Sequence, residues 1–322
     1  MRYYLVLLIL FSLSQLEAQQ WIQFSQQGFY TSYLNPANSG EQSKLRAIVA
    51  HRSQYVGLGT KIIGTQYASF SSPAFTKNLG LGFRMLNDFI GYQRYTQTEA
   101  LAAYHLYKGK HRFSVGFSAG LVQLALDGSQ LTAPDGEYLP GTVIHNDNFL
   151  PSSKVSSLAP CFSFGLIYGF SNFSLGIAME ELNKPKLNLS QDQSGTIIFL
   201  NRTINIHSSY VIETEKLRII PSVFVKTDFI KWQAQTEVMI KWKKILAGLG
   251  FRGYSGLNND ALIGVFGFSL KEKVQVAYSY DYNLSYLNNS NSGSHEISLK
   301  LELPRSFKQN VKTNMMYNPR FL

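Results

Sequence analysis

The chain has 322 residues, a formal net charge of +10 and 45% hydrophobic residues. After the first residues, no segment approaches the roughly 18 consecutive apolar residues of a membrane helix, which excludes a helical membrane protein. No nucleic-acid recognition motif accompanies the basic charge, so nucleic acid is excluded as the expected partner. The single cysteine, Cys161, excludes an internal disulfide.

The N-terminus has the pattern of an export signal. Arg2 gives a positive start, residues 3–13 are apolar, and Leu16-Glu17-Ala18 fits a cleavage site. We expect residues 1–18 to be a cleaved signal peptide, with Gln19 as the first residue of the mature chain. A retained N-terminal anchor is the alternative.

A two-residue alternation of apolar and polar side chains follows along nearly the whole chain. Side chains of a strand point alternately to opposite faces, so each segment would have one apolar and one polar face. Aromatic residues, at 14%, would be explained by girdles at two membrane interfaces. The alternation and the turn residues predict about fourteen strands, at residues 44–57, 60–71, 79–88, 93–107, 110–126, 157–169, 171–180, 201–213, 216–227, 230–241, 243–254, 260–270, 273–284 and 294–304.

The lengths of the connections alternate as well. If the first strand leaves the periplasm, the long connections 127–156, 181–200 and 284–294 all lie outside the cell, and the short ones lie in the periplasm. This asymmetry is typical of membrane barrels. We therefore predict an all-β fold, a transmembrane antiparallel up-and-down β-barrel in the outer membrane. It would span residues 44–304, with both termini periplasmic. A soluble β-sandwich is the alternative.

Two segments flank the predicted barrel. Residues 19–43 form a periplasmic N-terminal segment that is too rich in aromatic residues to lie free in water. We expect it to fold against the periplasmic mouth or to enter the lumen as a partial plug. Residues 305–322 would form a basic periplasmic tail. Inside the barrel, Asp281 and Glu296 are expected to pair with lumenal cations such as Lys300, Lys241 or Arg218.

Enzyme chemistry finds little support in the sequence. The six histidines are scattered without the spacing of metal ligands, and no nucleophile elbow occurs. His295 and Glu296 are adjacent and would point to opposite faces of a strand, so they cannot easily share a proton. We expect no catalytic residue, no metal and no cofactor.

Five short motifs occur in order along the chain. They are Gln23-Phe24-Ser25-Gln26 followed by Leu34-Asn35-Pro36-Ala37-Asn38-Ser39-Gly40, then Arg52-Ser53-Gln54-Tyr55-Val56-Gly57, Pro221-Ser222-Val223-Phe224-Val225-Lys226, Tyr278-Ser279-Tyr280-Asp281-Tyr282 and Gly293-Ser294-His295-Glu296-Ile297. Together they resemble the PorP/SprF family of outer-membrane proteins associated with the type IX secretion system. Tyr55 stands where the family commonly has tryptophan. The single motif residues are Asn35, Pro36, Gly40, Arg52, Gln54, Tyr55, Tyr280, Asp281, Gly293, His295 and Glu296.

The resemblance implies a non-enzymatic barrel that docks, helps to secrete and anchors a surface protein. That cargo would be an adhesin with a C-terminal sorting domain, and the role would be linked to gliding motility. Periplasmic lipoproteins and ring components of the apparatus would be partners, with the main translocon as a further one. A channel or uptake barrel for a small solute is the alternative function.

The predicted external loops 127–156 and 181–200 are the expected cargo contacts. An apolar group in the first of them would be exposed, and apolar surface clusters often mark partner sites. Self-packing of the loops into a lid is the equal alternative. The candidate contact residues are Leu139, Val143, Ile144, Phe149 and Leu150.

Overall fold

The structure is a computed structural model that describes residues 22–41, 44–58, 63–76, 78–139, 142–147, 150–189, 196–253, 259–270, 273–284 and 291–304. The expected signal peptide 1–18, the expected tail 305–322 and Phe149 lie outside the described residues. Among the helices that the described ranges contain, none has the length and apolarity to cross a membrane.

Fourteen antiparallel strands form a closed barrel, as the alternation predicted. The eighth strand is continued by a short piece, Ile212–Glu213, and was predicted as one unbroken strand over 201–213. The strands are β1 Lys44–Gln54, β2 Ile63–Ala74, β3 Leu79–Ile90, β4 Gln93–Lys108, β5 His111–Asp127, β6 Lys154–Phe170, β7 Phe173–Glu180, β8 Thr203–Tyr210, β9 Leu217–Thr227, β10 Trp232–Trp242, β11 Ile245–Gly253, β12 Asn259–Leu270, β13 Val274–Asn283 and β14 Ser294–Pro304.

The barrel closes because β1 pairs with β14. The register runs from Lys44 opposite Pro304 to Ser53 opposite His295. Every other strand pairs with its neighbours along the chain, and β8 pairs with β9 to complete the ring. Closure leaves no strand edge unpaired, which is the condition for a sheet to lie in lipid.

The two faces of each strand separate as the alternation requires. On β10, Trp232, Val238 and Trp242 are exposed, whereas Gln235 and Glu237 are buried. A lipid-facing surface with tryptophan near both ends of the strand is typical of a membrane barrel. The buried face of every strand therefore points into the lumen, where polar side chains must find partners.

Alternate connections lie at opposite ends of the barrel. We call the end that carries residues 128–153, 181–202 and 284–293 the long-loop rim, and the other end the short-turn rim. At the short-turn rim, two residues join β4 to β5, β6 to β7 and β10 to β11. The long loops contain two small hairpins that the sequence did not predict, Glu137–Leu139 with Thr142–Ile144 and Lys186–Asn188 with Ile197–Phe199.

Residues 22–41, which we call the strap, lie inside the barrel. The strap contains the 3₁₀ turn Gln27–Phe29, the single helical turn Thr31–Leu34 and the 3₁₀ turn Pro36–Asn38. These short elements bury most of their side chains, and Phe24 and Tyr30 are completely inaccessible to solvent. The strap therefore supplies the apolar core of the lumen.

Candidate functional site

The strap runs along the full length of the lumen. Ile22 lies beside Asn205 and Lys226, at the ends of β8 and β9 that reach the long-loop rim. At the other end of the strap, Glu41 forms an ion pair with Arg112, close to the short-turn rim. The strap thus runs from the long-loop rim to the short-turn rim and leaves the lumen there, where β1 begins.

Asn35 and Pro36 fix the middle of the strap. Asn35 has extended backbone, its side chain accepts the N–H of Ala37 at 2.9 Å, and Pro36 begins the following turn with its preset φ. The Nδ2 of Asn35 also donates to the carbonyls of Leu166 on β6 and Ile177 on β7, at 3.0 and 3.1 Å. This one side chain caps a turn and attaches the strap to the wall.

Four aromatic rings form the centre of the lumenal core. Phe24 lies 4.6 Å from Tyr30, 5.0 Å from Tyr33 and 5.7 Å from Tyr67, measured between ring centroids. Three of the rings belong to the strap, and Tyr67 belongs to β2. Tilted and edge-on contacts of this kind stabilise beyond the area that they bury. The strap is therefore a packed part of the fold.

A buried cluster of four charges holds the tip of the strap. Arg52 of β1 contacts Asp281 at 2.8 Å and Glu296 at 3.4 Å, and Arg252 contacts Asp281 at 3.0 Å. Two cations face two anions, so the cluster carries no net charge. Buried charges persist only when they are paired and hydrogen-bonded in this way.

The backbone of the strap completes this cluster. The N–H groups of Ser25 and Gln26 donate to the two carboxylate oxygens of Glu296, at 2.7 and 3.2 Å. The hydroxyl of Tyr30 donates to the same carboxylate at 2.8 Å. Burial and the neighbouring Glu296 raise the pKa of Tyr30 well above its ordinary value, so the phenol remains a donor.

The predicted partners of Asp281 and Glu296 are wrong. Lys300 contacts Glu302 at 3.1 Å, and Arg218 forms an exposed ion pair with Glu213. Lys241 lies at the short-turn end of β10, opposite Arg218. Alternation gives the face of a strand but not the height along the barrel. Lys300 is four residues from Glu296, a distance of about 13 Å along the strand.

A second charge cluster holds the helical turn of the strap. Arg84 of β3 contacts Glu99 of β4 and reaches Glu180 of β7 at 3.1 Å. Its Nη1 donates to the carbonyls of Ser32 and Tyr33, at 3.1 and 2.8 Å. One arginine therefore bridges three strands and the strap across the lumen. The sequence analysis did not single out Arg84, and no short motif indicated its partners.

The family-motif residues separate into two groups in space. Arg52, Asp281 and Glu296 meet in the first charge cluster, and Asn35, Pro36 and Gly40 belong to the strap. Gly40 has φ +68°, and its neighbour Ser39 packs directly on Gly80. A left-handed conformation and a close backbone approach both favour glycine here.

The other motif residues lie at the long-loop rim. The N–H of Tyr55 donates to Ser294 at 3.2 Å, and Val56 donates to the carbonyl of Gly293 at 2.9 Å. Tyr280 donates to the carbonyl of Ser292 at 3.2 Å. His295 contacts the hydroxyl of Tyr278 on the outer face, and Gln54 is half-buried at the end of β1. These residues join the ends of β1, β13 and β14.

The mouth of the barrel at the long-loop rim is covered by the second loop hairpin. Leu187 and Leu189 are buried against Val122 and Leu124 of β5 and against Val155 of β6. The other face of this hairpin, which includes Ile197 and Phe199, is exposed. One side of this hairpin therefore packs as a lid, while its other side faces outward.

The predicted cargo residues that the structure describes differ in exposure. Leu139 and Ile144 are exposed on the first loop hairpin, whereas Val143 and Leu150 are half-buried. The sequence analysis missed the turn between β9 and β10, where Phe229 is 69% exposed and Ile230 is 67% exposed. Two adjacent large apolar residues after Asp228 were the available signal.

The turn between β9 and β10 is rigidly built. Phe229 has φ +71°, and its N–H donates to the hydroxyl of Thr227 at 3.0 Å. The carboxylate of Asp228 accepts the N–H groups of Ile230 and Lys231, at 3.0 and 2.8 Å. A turn that holds one strained residue with three hydrogen bonds from consecutive N–H groups indicates that the display of these side chains is preorganised.

Among the described residues, no group of three or more His, Cys, Asp or Glu side chains is placed to hold a metal ion.

Glu181, the first residue after β7, gives a pH-dependent prediction. Burial, followed by the adjacent charge of Glu180, raises the pKa of Glu181 to about 8. A carboxyl whose pKa is higher in the folded state binds more protons there, so stability falls as the pH rises from about 4.5 to 8. Glu181→Gln is expected to raise the melting temperature at pH 8.5 and to leave it unchanged at pH 4. Thermal unfolding in detergent at both pH values measures this; an equal effect at both would contradict it.

The family of the chain follows from a comparison with known families. A family model described as "Type IX secretion system membrane protein PorP/SprF" matches residues 16–301. The chain belongs to the PorP/SprF family. The resemblance inferred from the motifs is therefore confirmed, and the protein is an outer-membrane β-barrel of the type IX secretion system.

Solved barrels of similar fold are distant in sequence from this PorP/SprF-family protein. A FadL homologue from Pseudomonas aeruginosa has 10% identity and a TM-score of 0.50, with 86% of this chain and 94% of that chain covered. The CymD monoaromatic hydrocarbon channel has 14% identity and a TM-score of 0.48, with 88% and 94% covered. The Pseudomonas putida toluene transporter TodX has 10% identity and a TM-score of 0.43, with 85% and 92% covered. A search of curated proteins found no match.

Proposed function

We propose that this PorP/SprF-family barrel docks a secreted surface protein, helps it to leave through the type IX apparatus and anchors it at the cell surface. The cargo is an adhesin with a C-terminal sorting domain, which links the barrel to gliding motility. The long-loop rim faces the exterior and binds the cargo. The short-turn rim and the basic tail 305–322 face the periplasm, where they contact lipoproteins and ring components of the apparatus.

The filling of the lumen is the observation that carries this proposal. The strap occupies the interior from one rim to the other, and the second loop hairpin covers the mouth at the long-loop rim. The lumenal side of β12, which includes Ala261, Ile263 and Val265, is buried against this filling. A barrel with a packed interior is suited to binding at its ends.

The exposed apolar side chains of the long-loop rim supply the binding surface. They come from three separate connections, so a partner resting on the rim would contact all of them. Exposed apolar groups at such a position often mark a protein interface. We call this set the rim anchors; it consists of Leu139, Ile144, Ile197, Phe199, Phe229 and Ile230.

A second candidate function is a channel for a small solute. The fold shared with the FadL homologue motivates it, since barrels of that shape include the toluene transporter TodX. Conductance in planar bilayers distinguishes the two functions. The docking function predicts no steady conductance from the full chain, whereas a stable open channel with solute-dependent block would favour the uptake function.

The rim anchors give a direct test of cargo docking. Phe229→Ser with Ile230→Ser is expected to lower the amount of cargo retained on the cell surface about 10-fold, because two central apolar contacts together contribute at least 1.4 kcal/mol. The cargo would then appear in the medium. Immunoblots of the cell surface and of the medium measure the ratio.

Phe75→Ser is the matched control. Phe75 is 87% exposed in the turn between β2 and β3, at the short-turn rim. Its loss can change how much cargo is exported but should leave the ratio of retained to released cargo unchanged. Equal losses from the two rims would remove support for docking at the long-loop rim.

Exchange of loops 127–156 and 181–200 with those of a paralogue should change which adhesin is retained.

A further inference from the structure

One pair of adjacent strands in this barrel, β1 and β14, is not joined by a turn or a loop that would bring the two strands together. Each of the other adjacent pairs is joined by a turn or a loop, so its partners are close from the start. β1 and β14 are the first and last strands, so their pairing, with Ser53 opposite His295, joins segments about 240 residues apart in the sequence. Contacts between distant parts of a chain carry a large entropic cost and form slowly.

The strap is connected to one member of this pair and bound to the other. It leads directly into β1, and its tip binds the lumenal side of β14. Besides the two backbone bonds to Glu296, Ser298 donates to the side chain of Gln26 at 2.6 Å. The amide of Gln26 in turn donates to Ser279 of β13 at 3.2 Å. The strap tip thus recognises β13 and β14 together.

β1 carries two arginines that pair with glutamates of β14 along the same junction. Arg52 of β1 pairs with Glu296 of β14 near the long-loop rim. Nearer the short-turn rim, Arg46 of β1 contacts Glu302 of β14 at 2.9 Å. A strap residue also takes part in each ion pair. The hydroxyl of Ser25 accepts a hydrogen bond from Arg52, and the hydroxyl of Thr31 accepts one from Arg46.

The cation–π contact between Lys300 and Phe29 lies between these two points. The ammonium of Lys300 is 5.3 Å from the centre of the Phe29 ring. Residues 25–31 therefore follow the junction of β1 and β14 on its lumenal side. The contacts of Asn35, by comparison, are to β6 and β7, far from this junction.

We propose that the strap is an intramolecular clamp that selects β14 as the partner of β1 and so closes the barrel. The lumenal groove along β13, β14 and β1 is a peptide-binding site, and its ligand is the segment 24–31 of the same chain. The groove recognises two backbone N–H groups through Glu296, one side-chain amide through Ser279 and Ser298, and one aromatic ring through Lys300.

The test compares two buried strap positions in the full-length chain. Ser25 and Asn35 both have 0% exposure, so Ser25→Leu and Asn35→Leu each replace a buried hydrogen-bonding side chain with an apolar one of the same size, at the junction and away from it. Closure is read with cysteines at Val49 and Leu299, which face each other across β1 and β14. A second pair at Val49 and Ala68 reads the hairpin β1–β2. All variants carry Cys161→Ser, and a short bis-maleimide, which alkylates one thiol with each of its two reactive groups, joins the cysteines during refolding.

Ser25→Leu is expected to lower the yield of the β1–β14 cross-link at least 5-fold and to leave the β1–β2 cross-link unchanged. Asn35→Leu should leave the ratio of the two cross-links as in the parent chain. A partial and equal reduction of both cross-links by Ser25→Leu, or an effect of the same size on the β1–β14 pair from Asn35→Leu, overturns the proposal. If Ser25→Leu abolishes both, the milder Gln26→Ala variant decides by the same comparison.

Discussion

Replacement of Arg84 by methionine is expected to lower the free energy of unfolding by about 3–5 kcal/mol. The substitution removes the cation that contacts Glu99 and Glu180 and leaves both carboxylates without that ion pair, so that Glu99 keeps only uncharged donors such as Ser118 and Ser163. Loss of one member of a buried ion pair is costly because an uncompensated charge remains. It also removes two hydrogen bonds to the carbonyls of the strap. Urea unfolding in detergent, followed by the mobility shift between folded and unfolded barrels, measures the change.

Arg218→Met is the control for this prediction. Arg218 is paired with Glu213 at 3.3 Å, but both side chains are largely exposed at the short-turn rim. Exposed ion pairs contribute about 0–1 kcal/mol, so the control should unfold nearly as the parent chain does. Arg84→Met together with Glu99→Gln should recover part of the loss. Similar effects of Arg84→Met and Arg218→Met would show that the lumenal cluster is not desolvated.

Gly116→Leu is expected to have the second large effect, a loss of about 3 kcal/mol or more in the free energy of unfolding, with release of the strap from the wall. Gly116 lies on the lumenal face of β5, where even a Cβ would overlap the backbone of Pro36 and Ala37. Those atoms are fixed by the Asn35 bonds to β6 and β7, so the strap cannot give way by rotating a side chain. Overpacking against backbone belongs to the most destabilising class of substitutions.

Labelling of a strap cysteine distinguishes release of the strap from general unfolding. In a Cys161→Ser background, Ser32→Cys should be protected from a soluble maleimide in the parent barrel and labelled in Gly116→Leu. Gly264→Leu is the control, because Gly264 faces outward and a Cβ there meets open space. If Gly264→Leu released the strap as strongly, the effect could not arise from contact with the strap.

The wall of the barrel was predictable because a period of two is a strong local signal. On β10, the alternation from Trp232 to Trp242 assigned each side chain to the correct face. The prediction of one strand over 201–213 missed the break at Val211, since its alternation continues without a turn residue. The hairpin of Lys186–Asn188 and Ile197–Phe199 was missed because its strands are only three residues long.

The lumenal site was predictable only in part. Parity placed Asp281 and Glu296 inside the barrel, and the aromatic composition indicated that the segment before β1 needs cover. Asp281 and Glu296 pair with Arg52 and Arg252. Which cations they meet depends on the register and tilt of strands that are far apart in sequence. A single sequence carries no local signal for that offset. For the same reason the path of the strap could not be derived from its composition.

The second loop hairpin has a consequence for engineering new specificity. Leu187, Leu189 and Ile198 contribute to the interior, while Lys186, Ile197 and Phe199 face away from it. Structural and recognition positions are thus interleaved residue by residue within a single short ribbon. A grafted hairpin that keeps the inward-facing residues and varies only the outward-facing ones should preserve the folded barrel. Exchange of the whole hairpin would also replace side chains that close the lumen.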